Sequence, residues 1–453
     1  MLMRNQPTLL NLLALSSFVL ASSGFTGEPK PSPEAVANRS KAVVSKVAAE
    51  FDGLEKLYRY LHSHPELSLQ ETATSAKLAQ QMKQLGFEVT TNVGGHGLVC
   101  IFHNGDGPTV LVRTDMDALP VIEKTGVPYA SHVVARDKNG QEVGVMHACG
   151  HDMHMTCWIG TATVLTSMKD QWSGTLMFIA QPAEEVGAGA RMMLEDGLFK
   201  KYRKPDYCLA LHCDSRLQAG HIRYTEGLAM ANVDSVDILV KGKGGHGAAP
   251  HTTIDPIVLA AKMILDSQTI VSRELNPTDP AVVTVGSIHG GTKHNIIPNE
   301  VKMQLTVRST KDSVRKQVLE AIKRIAKANA EAARAPEPEV SIRSSEFTPA
   351  LYNNEKLTRQ MVGLFGDLLG KDKVHERPPM MGGEDFARYG REGIPILLYF
   401  LGTIDDKRWE ESLKPGAVPL PSMHADGYWP SVKPSIETGV HTMSMAVMQL
   451  LGK

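Results

Sequence analysis

An α/β fold follows from three observations: apolar strand runs alternate with helical periodicity, ionisable residues cluster at the strand ends, and a β-α-β-β-α-β run interrupts the middle. The expected architecture is a mostly parallel sheet with helices on both faces, plus an inserted ferredoxin-like α+β domain. Val44, Val47, Phe51, Leu54, Tyr58 and Leu61 recur at spacings of three and four, marking an amphipathic helix that Pro65 ends. Thr72 to Leu85 reads as a second helix with Gly86 at its C′ position. Short apolar runs at Leu98–Phe102, Thr109–Val112, Thr175–Ala180 and Tyr207–Leu211 read as strands, and a helix is expected over Asp152–Met168. In such sheets, sites lie beyond the carboxyl ends of the strands. Asp115 and Asp117 follow one strand, Glu184 and Glu185 another, and His212 ends a third.

The middle of the chain changes character. Ser235–Val240 alternates as a strand, Asp255–Glu274 reads as a helix, and Ala281–Ile288 and Val301–Arg308 as strands. A Lys/Ala/Glu-rich helix over Ser313–Ala333 and a strand at Glu339–Ile342 complete the pattern. The insert is read as 232–345, splitting the larger domain into 41–231 and 346–453.

A chain of 453 residues exceeds what one core usually holds, so two domains fit its length. Hydrophobic residues at 42% and charged residues at 21% fit a soluble globular protein. The formal net charge of -1 argues against nucleic-acid or anionic-membrane partners. Residues 1–24 read as a signal peptide: Arg4 supplies a positive start, Leu9–Leu20 an apolar stretch, and Ala21-Ser22-Ser23 a cleavage site. A retained N-terminal anchor is the alternative. Residues 25–40, which include the linker-like Glu28–Pro33 segment, read as a linker. The expectation is a secreted or periplasmic protein with no stable membrane contact after cleavage. The five cysteines show no disulfide framework; Cys149 is the candidate for a thiol kept for metal, and the other four for buried apolar positions.

The chemistry concentrates in His147-Ala-Cys149-Gly-His151-Asp152-Met-His154 and in Glu184-Glu185. Cys149 and His151, two apart around Gly150 at a loop-to-helix junction, can face one cation, and Asp152 can fix the tautomer of a neighbouring imidazole. Without a metal the cluster would be structural. Adjacent carboxylates usually mark a solvated loop, and forcing them together raises one pKa unless a metal neutralises them. With metal present, Glu185 can ligate while Glu184 stays free as a general base. His212 and His424 are weak signals taken alone.

At this point the chain resembles the M20 metallopeptidase family, in its amidohydrolase branch. The similar blocks are Leu61-His-Ser-His-Pro-Glu-Leu67, Arg113-Thr-Asp-Met-Asp-Ala-Leu-Pro120, His147–Asp152, Gln181-Pro-Ala-Glu-Glu185, Gly244–His251, Asn295-Ile-Ile-Pro298 and Gly382-Gly-Glu-Asp-Phe386, running in the family's order from about residue 40 onward. The resemblance implies two divalent metal ions per subunit (zinc, or manganese, cobalt or nickel) and a lid domain used for dimerisation. It implies Cys149, His151, Glu185, His212 and His424 as ligands, Glu184 as general base, and Asp117 and Asp152 as acidic residues supporting them. It further implies His246 as the group that stabilises the oxyanion, in related dimers from the opposite subunit. Asn295 and Arg308 become candidates for gripping a substrate carboxylate, Arg308 being alternatively a surface strand residue. The expected substrate is a small-molecule N-acyl amino acid, split to a carboxylic acid and a free amino acid by a homodimer or higher homo-oligomer. A dipeptidase or carboxypeptidase of the same fold, and a non-catalytic binding protein, are the alternatives. Met153, Gly247 and Lys293-His294 depart from the family pattern without removing a proposed ligand.

Overall fold

The computed structural model describes residues 32–452. The strands of the two larger sheets are β1 (Glu88–Val93), β2 (Gly97–Asn104), β3 (Thr109–Asp115), β4 (Gly174–Gln181), β5 (Tyr207–Gln218), β6 (Ile222–Tyr224), β7 (Asn232–Lys241), β8 (Ala281–His289), β9 (Glu300–Ser309), β10 (Glu339–Ile342), β11 (Val374–Glu376) and β12 (Ile396–Ile404). The main helices are α1 (Pro33–Ser63), α2 (Thr72–Gln84), α3 (His151–Ser167), α4 (Pro256–Thr269), α5 (Asp312–Ala332), α6 (Glu355–Leu369) and α7 (Val432–Leu451). The large sheet has the order β1-β2-β4-β3-β5-β12-β6-β11. Its central strands β4, β3, β5 and β12 are mutually parallel, while β1 and β2 add on antiparallel.

Parallel strands covered on both faces need near-continuous apolar runs rather than alternation. β3 and β12 meet that need, every residue of each being buried. One face is covered by α1, α3 and α7, where Tyr58, Trp158, Val440 and Met443 form a single core with Phe178 and Tyr399 of the sheet. The short helices Gly189–Glu195 and Ala387–Arg391 cover the other face through Met193 and Tyr389. The mostly parallel, two-faced α/β architecture expected from sequence is the one observed.

The strands β7–β10 form a separate antiparallel sheet in the order β8-β9-β7-β10. Here burial alternates along β7 and β9, because α4 and α5 cover one face only.

Three readings are corrected. Residues 33–40, assigned to a linker, are the first turns of α1: Ser32 caps it by accepting from the Ala35 N–H, and Pro33 sits at the first helical position, where its missing N–H costs nothing. The strand holding His212 does not end there but continues to Gln218, because β12 pairs alongside it as far as Gln218. The helix expected over Asp255–Glu274 is α-helical only to Thr269 and closes in a π turn over Ile270–Glu274. The signal-peptide segment lies outside the described residues. Among the described residues, no helix is long and apolar enough to cross a membrane.

Candidate active site

The loop after β4 is where the carboxylates are aimed. Ala183 takes a left-handed φ of 52°, and its N–H donates to Glu71 Oε1 at 2.8 Å. The Asp117 carboxylate then accepts the next two amides, Glu184 N–H at 3.1 Å and Glu185 N–H at 3.0 Å, and the Ser68 hydroxyl at 2.6 Å. With its main chain held from behind in this way, the Glu184-Glu185 turn sends both side chains forward into the cleft.

Gly150 does the matching job for Cys149 and His151. Its φ is +77°, and a Cβ there would stand 2.9 Å from Cys213 Sγ. Gly150→Ala is expected to cost about 1–2 kcal/mol for the left-handed backbone alone, with the clash added, and to weaken metal binding. Urea unfolding and metal titration check this; an unchanged unfolding midpoint would show that the turn tolerates a side chain.

The donor atoms converge. Cys149 Sγ lies 3.6 Å from His212 Nε2 and 3.3 Å from His424 Nε2. Glu185 reaches His424 Nε2 at 3.6 Å with one oxygen and His151 Nε2 at 3.8 Å with the other. His151 donates from Nδ1 to the Asp117 carbonyl at 2.7 Å, and His212 from Nδ1 to the Cys213 carbonyl at 2.8 Å. With Nδ1–H engaged, both rings keep Nε2 for the cleft, the arrangement that metal ligation needs. His424, on a loop, holds a strained φ of 67° with its N–H on the Ala148 carbonyl at 2.9 Å.

The electrostatics of this cluster call for a cation. Burial pushes the Cys149 thiol well up, and the Glu185 and Glu184 carboxylates push it the same way. Glu184 is raised well above the carboxylate range by burial and then by Glu384, Glu185 and Asp385. Burial lifts Glu185 to about 7. Burial opposes the charge on His151, yet Asp115, Asp117 and Glu185 together raise it to about 10. His151 Nε2 and Glu185 Oε1 are buried without hydrogen-bond partners. Orphaned donors of this kind beside excess negative charge fit divalent metal, whose charge inverts the local pKa order. His154, also close by, is not available: Asp115 accepts from its Nδ1 at 2.7 Å and its Nε2 accepts the Cys213 N–H at 2.8 Å.

Behind the donors lies a buried ion network. Arg113 donates to Asp115 at 2.6 Å, Glu384 at 2.9 Å, Asp385 at 3.2 Å and Gln181 at 3.2 Å. Asp152 accepts from His62 at 2.6 Å, and the other nitrogen of that ring faces Glu123 at 3.0 Å. The Gly-Gly-Glu-Asp-Phe block flags Glu384 and Asp385 in the sequence, but only the structure puts Glu384 beside Glu184.

A cleft of about 1080 Å³ opens over these groups, lined by Cys149, Glu184, Glu185, His212, His424 and Arg308 among others. His246 and Asn295 are not among its walls. Both are exposed on the insert, beside the two-residue ladder that pairs Gly245–His246 with Ile296–Ile297. The Ala248 N–H donates to His246 Nδ1 at 3.0 Å, which leaves Nε2–H as a free outward donor.

The family model for "Peptidase family M20/M25/M40" matches residues 111–415, which include Cys149, His151, Glu184, Glu185 and His212. The chain belongs to this family. The M20 chain is 37% identical over 361 residues to thermostable carboxypeptidase 2 of Saccharolobus solfataricus, covering 79% of this chain and 87% of the relative. It is 37% identical over 354 residues to N-acetyl-L-cysteine deacetylase of Bacillus subtilis, covering 78% and 80%. Among solved structures, a dinuclear metal binding peptidase of the M20 family from Bacillus subtilis aligns with TM-score 0.70 and 30% identity, covering 90% of this chain and 100% of that one. Family membership and the donor set make this M20 chain a metallohydrolase.

Proposed function

We propose that the protein hydrolyses the amide bond of N-acyl amino acids, releasing a carboxylic acid and a free amino acid. The carrying observation is a spare carboxylate, Glu184, held beside five convergent donors: Cys149, His151, Glu185, His212 and His424. Structural metal sites seldom keep such a group next to an open cleft. The N-acetyl-L-cysteine deacetylase likeness supports the same reading. The carboxypeptidase likeness keeps unblocked peptides in view. Arg308 on the cleft wall suits the carboxylate that both substrate classes carry, and the substrate panel below separates the two.

Two bound divalent ions, held by the five donors, would supply the positive charge that polarises the carbonyl and acidifies a water. Cys and His donors suit zinc, with manganese, cobalt or nickel as other occupants. Glu184 takes the proton of the attacking water and returns it to the leaving amine. Asp117 positions Glu184 and Glu185 through their amides. Arg308, on β9 with Nη1–H donating to the Met381 carbonyl at 3.1 Å, is proposed to hold the substrate carboxylate, with Asn295 as a second candidate. His246, outside its own chain's cleft, is proposed to serve the oxyanion of a second copy, so the working form is a homodimer or larger. Export remains a proposal resting on residues 1–24; mass analysis of the mature N-terminus in a secreting host tests it.

A panel of acetyl, benzoyl and long-chain acyl amino acids, run against unblocked dipeptides and assayed for released amino acid, tests the substrate class. Dipeptide turnover equal to that of the acyl substrates would sink the reading. Chelation is expected to abolish activity and added divalent ion to restore it. Less than one equivalent of metal, with no activation by any ion, would remove the metal from the account.

A further inference from the structure

The cross-strand register around His212 lays out a row of side chains on one face of the large sheet. His212 on β5 is paired with Phe400 on β12, Phe400 with Arg223 on β6, and Arg223 with His375 on β11. Directly paired residues point to the same face, and neighbouring strands lie about 4.8 Å apart, so the Arg223 backbone sits roughly 10 Å from that of His212. Along β5, Asp214 follows His212 at a two-residue step and shares its face; beyond it the register with β12 shifts, and Arg216 lines the same cleft. Arg377, just past β11, lays its guanidinium 4.3 Å from the centroid of the Phe400 ring, which itself lies 5.9 Å from the His212 ring. All of these residues line the same cleft as the metal donors.

The charges in this corner do not cancel. Asp214 Oδ2 accepts from Arg223 at 3.1 Å and lies 3.7 Å from Arg377, so one carboxylate serves two guanidiniums. Arg216 is exposed to the cleft and has no carboxylate partner among the described residues. Even with Glu376 at the rim counted, three guanidiniums meet two carboxylates. Burial, and then the nearness of Arg223 and Arg216, hold the Arg377 guanidinium below its usual range against the opposite pull of Asp214. Like charges gathered on a cleft wall are unfavourable until an anion joins them, and guanidinium forks are built to take carboxylates in pairs of hydrogen bonds.

We propose that Arg216, Arg223 and Arg377 form a second anion subsite, which takes a carboxylate at the far end of the substrate's acyl chain. The inference rests on the N-acyl amino acid reading and narrows it. With the amide at the metal donors, an acyl chain lying along the Phe400 ring, which stands between the His212 ring and the Arg377 guanidinium, reaches the arginines. The preferred substrates are then N-acyl amino acids whose acyl group derives from a dicarboxylic acid.

The test separates binding from turnover. Calorimetry on the metal-loaded protein compares the free diacids adipate and suberate with hexanoate and octanoate, the monoacids of equal length. At least one diacid is expected to bind about tenfold tighter than its monoacid. Arg216→Gln and Arg377→Gln are each expected to cut that ratio several-fold, and rising salt to shrink it. Equal binding of diacid and monoacid in the unmutated protein overturns the subsite without needing a variant to fold. A preference that survives both substitutions overturns the assignment to these arginines. Turnover of neutral acyl amino acids without a diacid preference leaves the N-acyl reading standing and sinks this one. Diacid preference in binding with no turnover of any acyl amino acid supports the subsite and sinks the activity.

Discussion

Glu184→Gln is expected to lower turnover by about 10²–10⁴-fold while the metal content of the protein stays unchanged. Gln keeps the shape and the main-chain hydrogen bond to Asp117 but removes the only group in the loop left over for proton transfer. Glu185 cannot replace it, because both of its oxygens lie among the donors, one near His151 and one near His424. Three outcomes are distinguishable by steady-state kinetics and elemental analysis of the same sample. Activity lost with metal retained supports the base. Near-full activity removes Glu184 from that role. Metal lost along with activity would make Glu184 a ligand instead.

Arg113→Met is expected to destabilise the protein by about 3–5 kcal/mol, the cost typical of removing one partner from a buried ion pair. The side chain is almost wholly enclosed and its guanidinium answers Asp115, Glu384 and Asp385 at once. Met fills the volume but leaves three carboxylates facing one another in a medium that screens poorly. The urea unfolding midpoint of the metal-loaded variant measures the effect. A shift worth less than about 1 kcal/mol would mean that metal, not Arg113, neutralises this cluster. Because Asp115 also orients His154, and Glu384 lies beside Glu184, activity should fall together with stability.

Much of the fold was legible because its signals are local. The helices α2 and α5 and the strand β10 follow from periodicity and punctuation that span fewer than two dozen residues each. The start of α1 was misread because Glu28–Pro33 looks like linker, although Ser32-Pro33 is also a helix-start signal. The extension of β5 beyond His212 was hidden because it depends on pairing with β12, some two hundred residues later. No local pattern encodes a partner that distant.

Sequence alone singled out the candidates for the chemistry: Cys149, His151, Glu184, Glu185, His212 and His424 stand out by residue type, spacing and family resemblance. It also determined the class of fold, since apolar period and strand-helix alternation are written along the chain. Only the tertiary structure decided that Asp117 grips the amides of both glutamates, that Arg113 ties Glu384 and Asp385 to β3, and that His246 and Asn295 stand outside the walls of their own cleft. It alone lined up His212, Phe400, Arg223 and His375 across four strands. Those relations are set by register and packing between segments far apart in sequence, where the energy of a contact depends on neighbours that the local chain does not contain.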